Sequence, residues 1–218
     1  MVSVKGAAFL VGFAAEARIA HASGWLVGMG GGTAAGAARA AQRLIDAGAS
    51  ALVSFGLAGG LDPALPAGTV IVAAAVLADG RSWPTDPALN ARLGGSTGHV
   101  CLSLDHIAAS TEEKRRLGRV TGAAVADMES GAAAAAAAKA GVPFAVLRAI
   151  CDPADRPLPS AALVALNANG RIGFTRLAGS LLRDPGQMGA LLRLARDAAA
   201  ARRALRARVA GMHPPPRP

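Results

Sequence analysis

Apolar and polar positions along the chain follow two rhythms. "VKGAAFLVGF" (residues 4–13) is an apolar run bounded by glycine, and "GWLVGMGGG" (24–32) reads as a short strand running into a glycine turn. "TAAGAARAAQRLIDAG" (33–48) has helical spacing, with Gly48 as its stop. The opening of the chain therefore predicts strand, turn, strand, glycine turn, helix. "ASALVSFGLAGG" (49–60) predicts a buried strand ending in glycines, "GTVIVAAAVLADG" (68–80) a longer one and "GHVCLSL" (98–104) a third. "STEEKRRLG" (110–118) begins with a Ser/Thr cap followed by acids, the signature of a helix start. A strand "GAAVADM" (122–128), an alanine helix ending at Gly141, the strand "PFAVLRAIC" (143–151) and two or three further helices complete the pattern. Strands alternating with helices predict an α/β sheet covered on both faces.

Composition narrows the function classes. With 218 residues, 52% of them apolar, and no twenty-residue apolar run free of charge or glycine, the chain predicts one globular domain over residues 1–211, with no membrane span. Residues 212–218, ending "HPPPRP", read as a disordered tail. The first twenty residues carry Lys5, Glu16 and Arg18 around an apolar stretch and read as a first strand rather than a signal peptide, which predicts a cytoplasmic protein. Cys101 and Cys151 each lie in an apolar segment without metal-ligating neighbours, so reduced, buried thiols and no metal are expected.

The net charge of +9 is local, because the stretch from Gly186 to Pro218 holds seven arginines against Asp197 alone and supplies +6 of it. Aromatics are 3% of residues and tyrosine is absent, so stacking platforms are scarce and nucleic-acid binding is disfavoured.

In such sheets ligands bind at the carboxyl ends of strands. Glu16 follows the first strand, "GMGGGT" the second, "FGLAGG" the next, "DMES" a later one and "CDPAD" the last. Each has an ordinary structural explanation: a tight connection, a helix start, a turn residue, a surface acid paired with Arg18. Their joint occurrence at successive strand ends is what points to a site.

"VSFGLAGGLDPALPAGTVIV", "VADMES" and "GVPFAVLRAICDPAD" together resemble the purine nucleoside phosphorylase superfamily, in particular its methylthioadenosine/S-adenosylhomocysteine nucleosidase branch, over about Phe9 to Asp155. "GFAAEARIA", "RAICDPADRPLPSAALVAL" and "NGRIG" are similar to its hopanoid-associated group, proposed to remove adenine from adenosylhopane. The resemblance implies a three-layer αβα sandwich with a mixed, partly barrel-like sheet, no cofactor, and a homo-oligomer. It implies Asp152 as the proton donor to N7 of the leaving base, Glu129 as the acceptor for the ribose hydroxyls, Met128 packed on the sugar and Glu16 as the base that activates water. Contacts to substrate are then expected from Gly30, Gly31, Leu57, Ala58, Gly59, Ile107 and Arg148. Asp127 is read as a helix-start residue.

Water and phosphate both remain open as nucleophile. Phosphate would need ligands from Gly30 to Thr33, Arg18 and Arg148. Leu57 stands where many relatives carry Ser or Thr, and Glu16 favours water. "SLDHIAAS" departs from the nucleosidases, which usually place a phenylalanine against the purine; Ile107 or His106 must cover that face.

The basic C-terminal helix, about 189–211, puts Leu191, Leu194, Leu205 and Val209 on one side and most arginines on others. It fits either a domain-covering helix or an interfacial helix attracted to anionic lipid, and the apolar stretch Leu158 to Leu166 fits a lipid-accommodating entrance.

Overall fold

A computed structural model describes residues 6–165 and 184–212. Among the described residues nine strands form one mixed sheet: β1 (Ala7–Val11), β2 (Leu26–Met29), β3 (Ala51–Gly60), β4 (Val70–Val72), β5 (Ala75–Ala78), β6 (Arg81–Pro84), β7 (Val100–Ser103), β8 (Val125–Asp127) and β9 (Phe144–Asp152). The helices are α1 (Ala14–Ala20), α2 (Ala34–Asp46), α3 (Pro87–Arg92), α4 (Thr111–Thr121), α5 (Ser130–Ala140), α6 (Ser160–Ala165) and α7 (Met188–Ala210). β1 and most of β3 and β9 are buried on both faces, which is why they read as continuous apolar runs rather than alternating ones.

The sheet is partly closed. β3 pairs in parallel with β1 over its first half and antiparallel with β8 at Gly59 and Gly60, while its other edge follows β9 along its length. β9 in turn pairs with β4, and the chain bends at Ala73 and Ala74 to continue as β5, which pairs with β7, itself paired to β8. The circuit β3, β9, β4/β5, β7, β8 is the barrel-like part; β1 and β2 extend from it as an open wing.

Helices cover both faces. On one, α2 buries Ala37, Ala40, Ala41 and Leu44, spaced i, i+3, i+4, i+7, and packs beside α5, whose alanines allow close approach. On the other, α1, α3 and α7 cover Phe9, Val53, Phe55 and Leu147, with Ala201, Leu205 and Val209 of α7 fully inside the core. The C-terminal helix is therefore a structural layer, and half of its expected apolar stripe is spent on the sheet; Leu191 and Leu194 are only half-buried.

Four readings of the sequence are corrected. The segment after β1, expected as a turn, is the helix α1, because "AAEARIA" holds no breaker. The single strand expected over 68–80 is two, split by the bend that closes the barrel. Two short elements, β6 and α3, went unpredicted; α3 starts with Asp86 accepting the Leu89 amide and Pro87 in its first turn. Cys101 is buried as expected, but Cys151 is only partly so, and both are free thiols. Among the described residues no helix is long and apolar enough to cross a membrane. Residues 213–218 of the predicted tail, and Leu166, lie outside the described residues.

Candidate active site

β1, β2, β3 and β9 run parallel, so their carboxyl ends share one edge of the sheet, and side-chain contacts bring the end of β8 to the same place. Glu16 sits in the first turn of α1, where its carboxylate accepts from the amides of Gly12 and Phe13, both at 2.9 Å, and of Leu57 at 2.8 Å. Glu129 follows β8 and accepts from the Gly32 amide at 3.1 Å. The two carboxylates converge on Gly12: a Cβ there would lie 3.1 Å from an oxygen of each. A side chain at Gly56 would likewise run into Glu16 and Arg148, so β3 passes the cluster as bare backbone.

The glycine turn serves this arrangement. The amides of Gly30 and Gly31 donate to the carbonyls of Val11 and Gly12, lacing the end of β2 to the end of β1. Gly31 and Gly32 take left-handed φ of 78° and 74°, a conformation that costs glycine little and aims the Gly32 amide at Glu129. Thr33 then caps α2 by accepting the Gly36 amide.

Arg148 was expected among the ligand contacts. It is instead enclosed, 1% exposed, with its guanidinium paired to Asp127, 3.7 Å from Glu129, and donating to Ser54 Oγ at 2.6 Å. Asp127 does two jobs. It is the helix-start residue expected, accepting the Ser130 amide at 3.1 Å, and it is also the main counter-ion of Arg148. Ser130 Oγ, hydrogen-bonded to both Asp127 and Ser54, completes this buried layer.

Burial and neighbouring charge shift the carboxylates' hold on their protons. Burial lifts Glu129 to about 7, opposed by Arg148 and reinforced by Glu16 and Asp127. Glu16 is also raised by burial, against the pull of Arg148 and its three amide donors. Burial disfavours the Arg148 cation, but Asp127, Glu129 and other neighbouring groups outweigh it and raise its pKa.

Asp152 ends β9, opposite Gly59 in register, and its Oδ2 lies 3.8 Å from where a Gly59 Cβ would stand. Burial raises its pKa, opposed mainly by Lys114, whose Nζ is 2.7 Å from Oδ2. Sequence reading missed Lys114, which stands in a segment read only as a helix start. The available signal was its place at i, i+3, i+4, i+7 with Leu117, Gly118 and Thr121, the inward stripe of α4.

Of the remaining expected residues, Leu57, Ala58 and Gly59 line the end of β3, with Ala58 buried, and Met128 is half-buried at the end of β8. Ile107 is exposed on the loop after β7, beside His106, which bridges Asp105 at 2.6 Å and Glu113 at 2.9 Å. That loop meets the segment after Asp152 through the Leu158 amide, which donates to the Ala109 carbonyl.

Residues 22–98 and 96–178 match the family model described as the phosphorylase superfamily. The chain belongs to the phosphorylase superfamily. Solved structures with this superfamily fold include futalosine hydrolase of Helicobacter pylori, 17% identical, covering 95% of this chain and 98% of that one with a TM-score of 0.66. Another is S-adenosylhomocysteine nucleosidase of Streptococcus pyogenes in complex with 5-methylthiotubericidin (17% identity; 87% and 94% covered; TM-score 0.60). A third is methylthioadenosine/S-adenosylhomocysteine nucleosidase of Neisseria meningitidis in complex with methylthio-immucillin-A (16%; 94% and 97%; 0.64). Among curated proteins no sequence matches significantly.

Proposed function

We propose that this superfamily member hydrolyses the N-glycosidic bond of an adenine nucleoside. The observation that carries the reading is the convergence of Glu16 and Glu129 on Gly12, with Asp152 farther along the same edge. Gly56 and Gly59, which mark the two places, are three residues apart on β3, on the order of 10 Å. The ribose diol and purine N7 of a nucleoside, with a hydrogen bond of about 2.8 Å at each end, fill such a distance. Glu129 accepts the 2′- and 3′-hydroxyls and its charge stabilises the oxocarbenium-like sugar. Asp152, whose hold on a proton is strengthened by burial, gives that proton to N7 as the base departs. Glu16 takes a proton from the attacking water, and Met128 packs on the sugar.

Water is favoured over phosphate by how the donors are used. The amides of Gly12, Phe13, Leu57 and Gly32 are committed to carboxylates, Arg148 is enclosed by Asp127, and Arg18 is exposed on α1. Among the described residues an incoming phosphate would meet two carboxylates and an arginine already paired to Asp127, whereas a neutral water meets acceptors.

For the substrate's 5′ group the reading is adenosylhopane, converted to ribosylhopane and adenine. Support comes from the sequence resemblance, from the exposed Ile107 and half-buried Leu158 on the two joined rim loops, and from the exposed arginines of α7, which fit contact with an anionic membrane surface. The test is release of free adenine from adenosylhopane, methylthioadenosine and S-adenosylhomocysteine, in buffer with and without phosphate. Expected are phosphate-independent release, fastest from adenosylhopane, and a loss of roughly two to four orders of magnitude in Asp152→Asn. No release from any of the three, or Asp152→Asn turnover within a few-fold of the parent, overturns the assignment; a soluble nucleoside preferred over adenosylhopane overturns the tail alone.

A further inference from the structure

Lys114 is 1% exposed and belongs to a helix otherwise covered in solvated charges. Its Nζ reaches three acceptors, Asp152 Oδ2 at 2.7 Å, the Arg156 carbonyl at 2.8 Å and the Pro153 carbonyl at 3.1 Å, which uses all three of its donors. Burying an ammonium is costly even when paired, and an apolar side chain usually serves a purely structural contact as well or better. Here the buried charge is set against the candidate proton donor and ties down the first residues of the loop that follows it.

We propose that Lys114 is a positioning residue for proton transfer, which orients the Asp152 carboxyl by one oxygen and stabilises the carboxylate formed when its proton leaves. This rests on the reading of Asp152 as the N7 acid. With Oδ2 held by the ammonium, Oδ1 is the oxygen left to carry the proton for the base. As the C1′–N9 bond breaks, its electron pair passes to the purine, the Oδ1 proton moves to N7, and Asp152 is left as an anion already paired to Lys114. Water forms the new bond to C1′ and gives its proton to Glu16. The ammonium is thus worth more after transfer than before, the condition for an interaction that speeds the step. The charged and titratable groups around Asp152 are Lys114 from α4, its neighbour Cys151, Arg156 from the loop, and Asp197 from α7, which pairs with Arg156 at 3.0 Å.

The sign follows. A group that works protonated loses activity above its pKa, and an adjacent cation lowers that pKa. Lys114→Gln keeps a donor for the loop carbonyls and removes the charge. Its alkaline limb of kcat/KM against pH is expected to move up by about 1 to 2 pH units, with a plateau about 10- to 100-fold below the parent. Lys114→Arg, which keeps the charge, is expected to hold the limb within about half a unit while losing rate. A folded Lys114→Gln with the parent's limb overturns the proposal while leaving Asp152 as the acid, provided Asp152→Asn is inactive. An active Asp152→Asn instead removes the underlying reading. If Lys114→Gln does not fold, Lys114→Arg decides, and a limb displaced by a full unit or more overturns the role of charge.

Discussion

Glu129 concentrates the chemistry of the site at a single residue. If it receives both ribose hydroxyls, a 2′-deoxy substrate leaves a buried carboxylate short of one donor, a loss of about 1 to 3 kcal/mol. Glu129→Gln should then narrow the gap between ribo and 2′-deoxy substrates, and a double comparison of enzyme and substrate measures the coupling. Strictly additive effects would remove Glu129 from the 2′-hydroxyl. The same residue predicts a stability profile. Its folded-state pKa of about 7 lies above the ordinary 4.5, so the native state binds its proton more tightly than the unfolded chain. Its contribution is therefore full below about 4.5 and lost as pH rises through 7, on the order of 3 kcal/mol. Denaturant unfolding at pH 5 and pH 8 should differ more for the parent than for Glu129→Gln, which does not titrate; equal differences would contradict the raised pKa.

Among elements, the connection from β1 to α1 ties the two carboxylates most directly to the backbone. A methyl group at Gly12 would lie 3.1 Å from an oxygen of Glu16 and of Glu129, so both carboxylates would have to shift slightly against the amides that hold them. Gly12→Ala is expected to keep the fold, at a stability cost of about 1 to 3 kcal/mol, and to lower kcat at least tenfold. Parent-like kcat would show that the carboxylates need not converge. These elements also mark what the sequence disclosed. β1, β3 and β9 announced themselves as apolar runs ended by glycine or an acid, and Glu16, Glu129 and Asp152 stood at their ends or those of β8. The bend at Ala73 and Ala74 left no mark, because no glycine or proline punctuates it and barrel closure is a long-range pairing. Arg148 was named, but its burial beside Asp127 was not foreseen, since a strand sequence does not say which face a long cation occupies. Lys114 was hidden among the charges of "STEEKRRLG", where only its position on the inward stripe distinguished it.

For the whole molecule, α7 is a wall of the core and not an appendage. Leu205→Ala should lower unfolding free energy by about 2 to 5 kcal/mol, while replacing exposed Arg203 or Arg206 with Gln should change it by no more than about 0.5 kcal/mol. Chemical denaturation checks both, and a silent Leu205→Ala would detach the helix from the core. A salt-dependent affinity for anionic vesicles is best tested by neutralising exposed arginines, because deleting α7 would bare Phe55 and Leu147.

The pairing of Arg156 with Asp197 carries a consequence for how the molecule is made. The loop that follows Asp152 is braced by a helix translated after it, so a nascent chain emerging amino-terminus first has its strands and carboxylates before it has that brace. A ribosome-stalled chain ending before α7 is therefore expected to be inert until that helix emerges and packs.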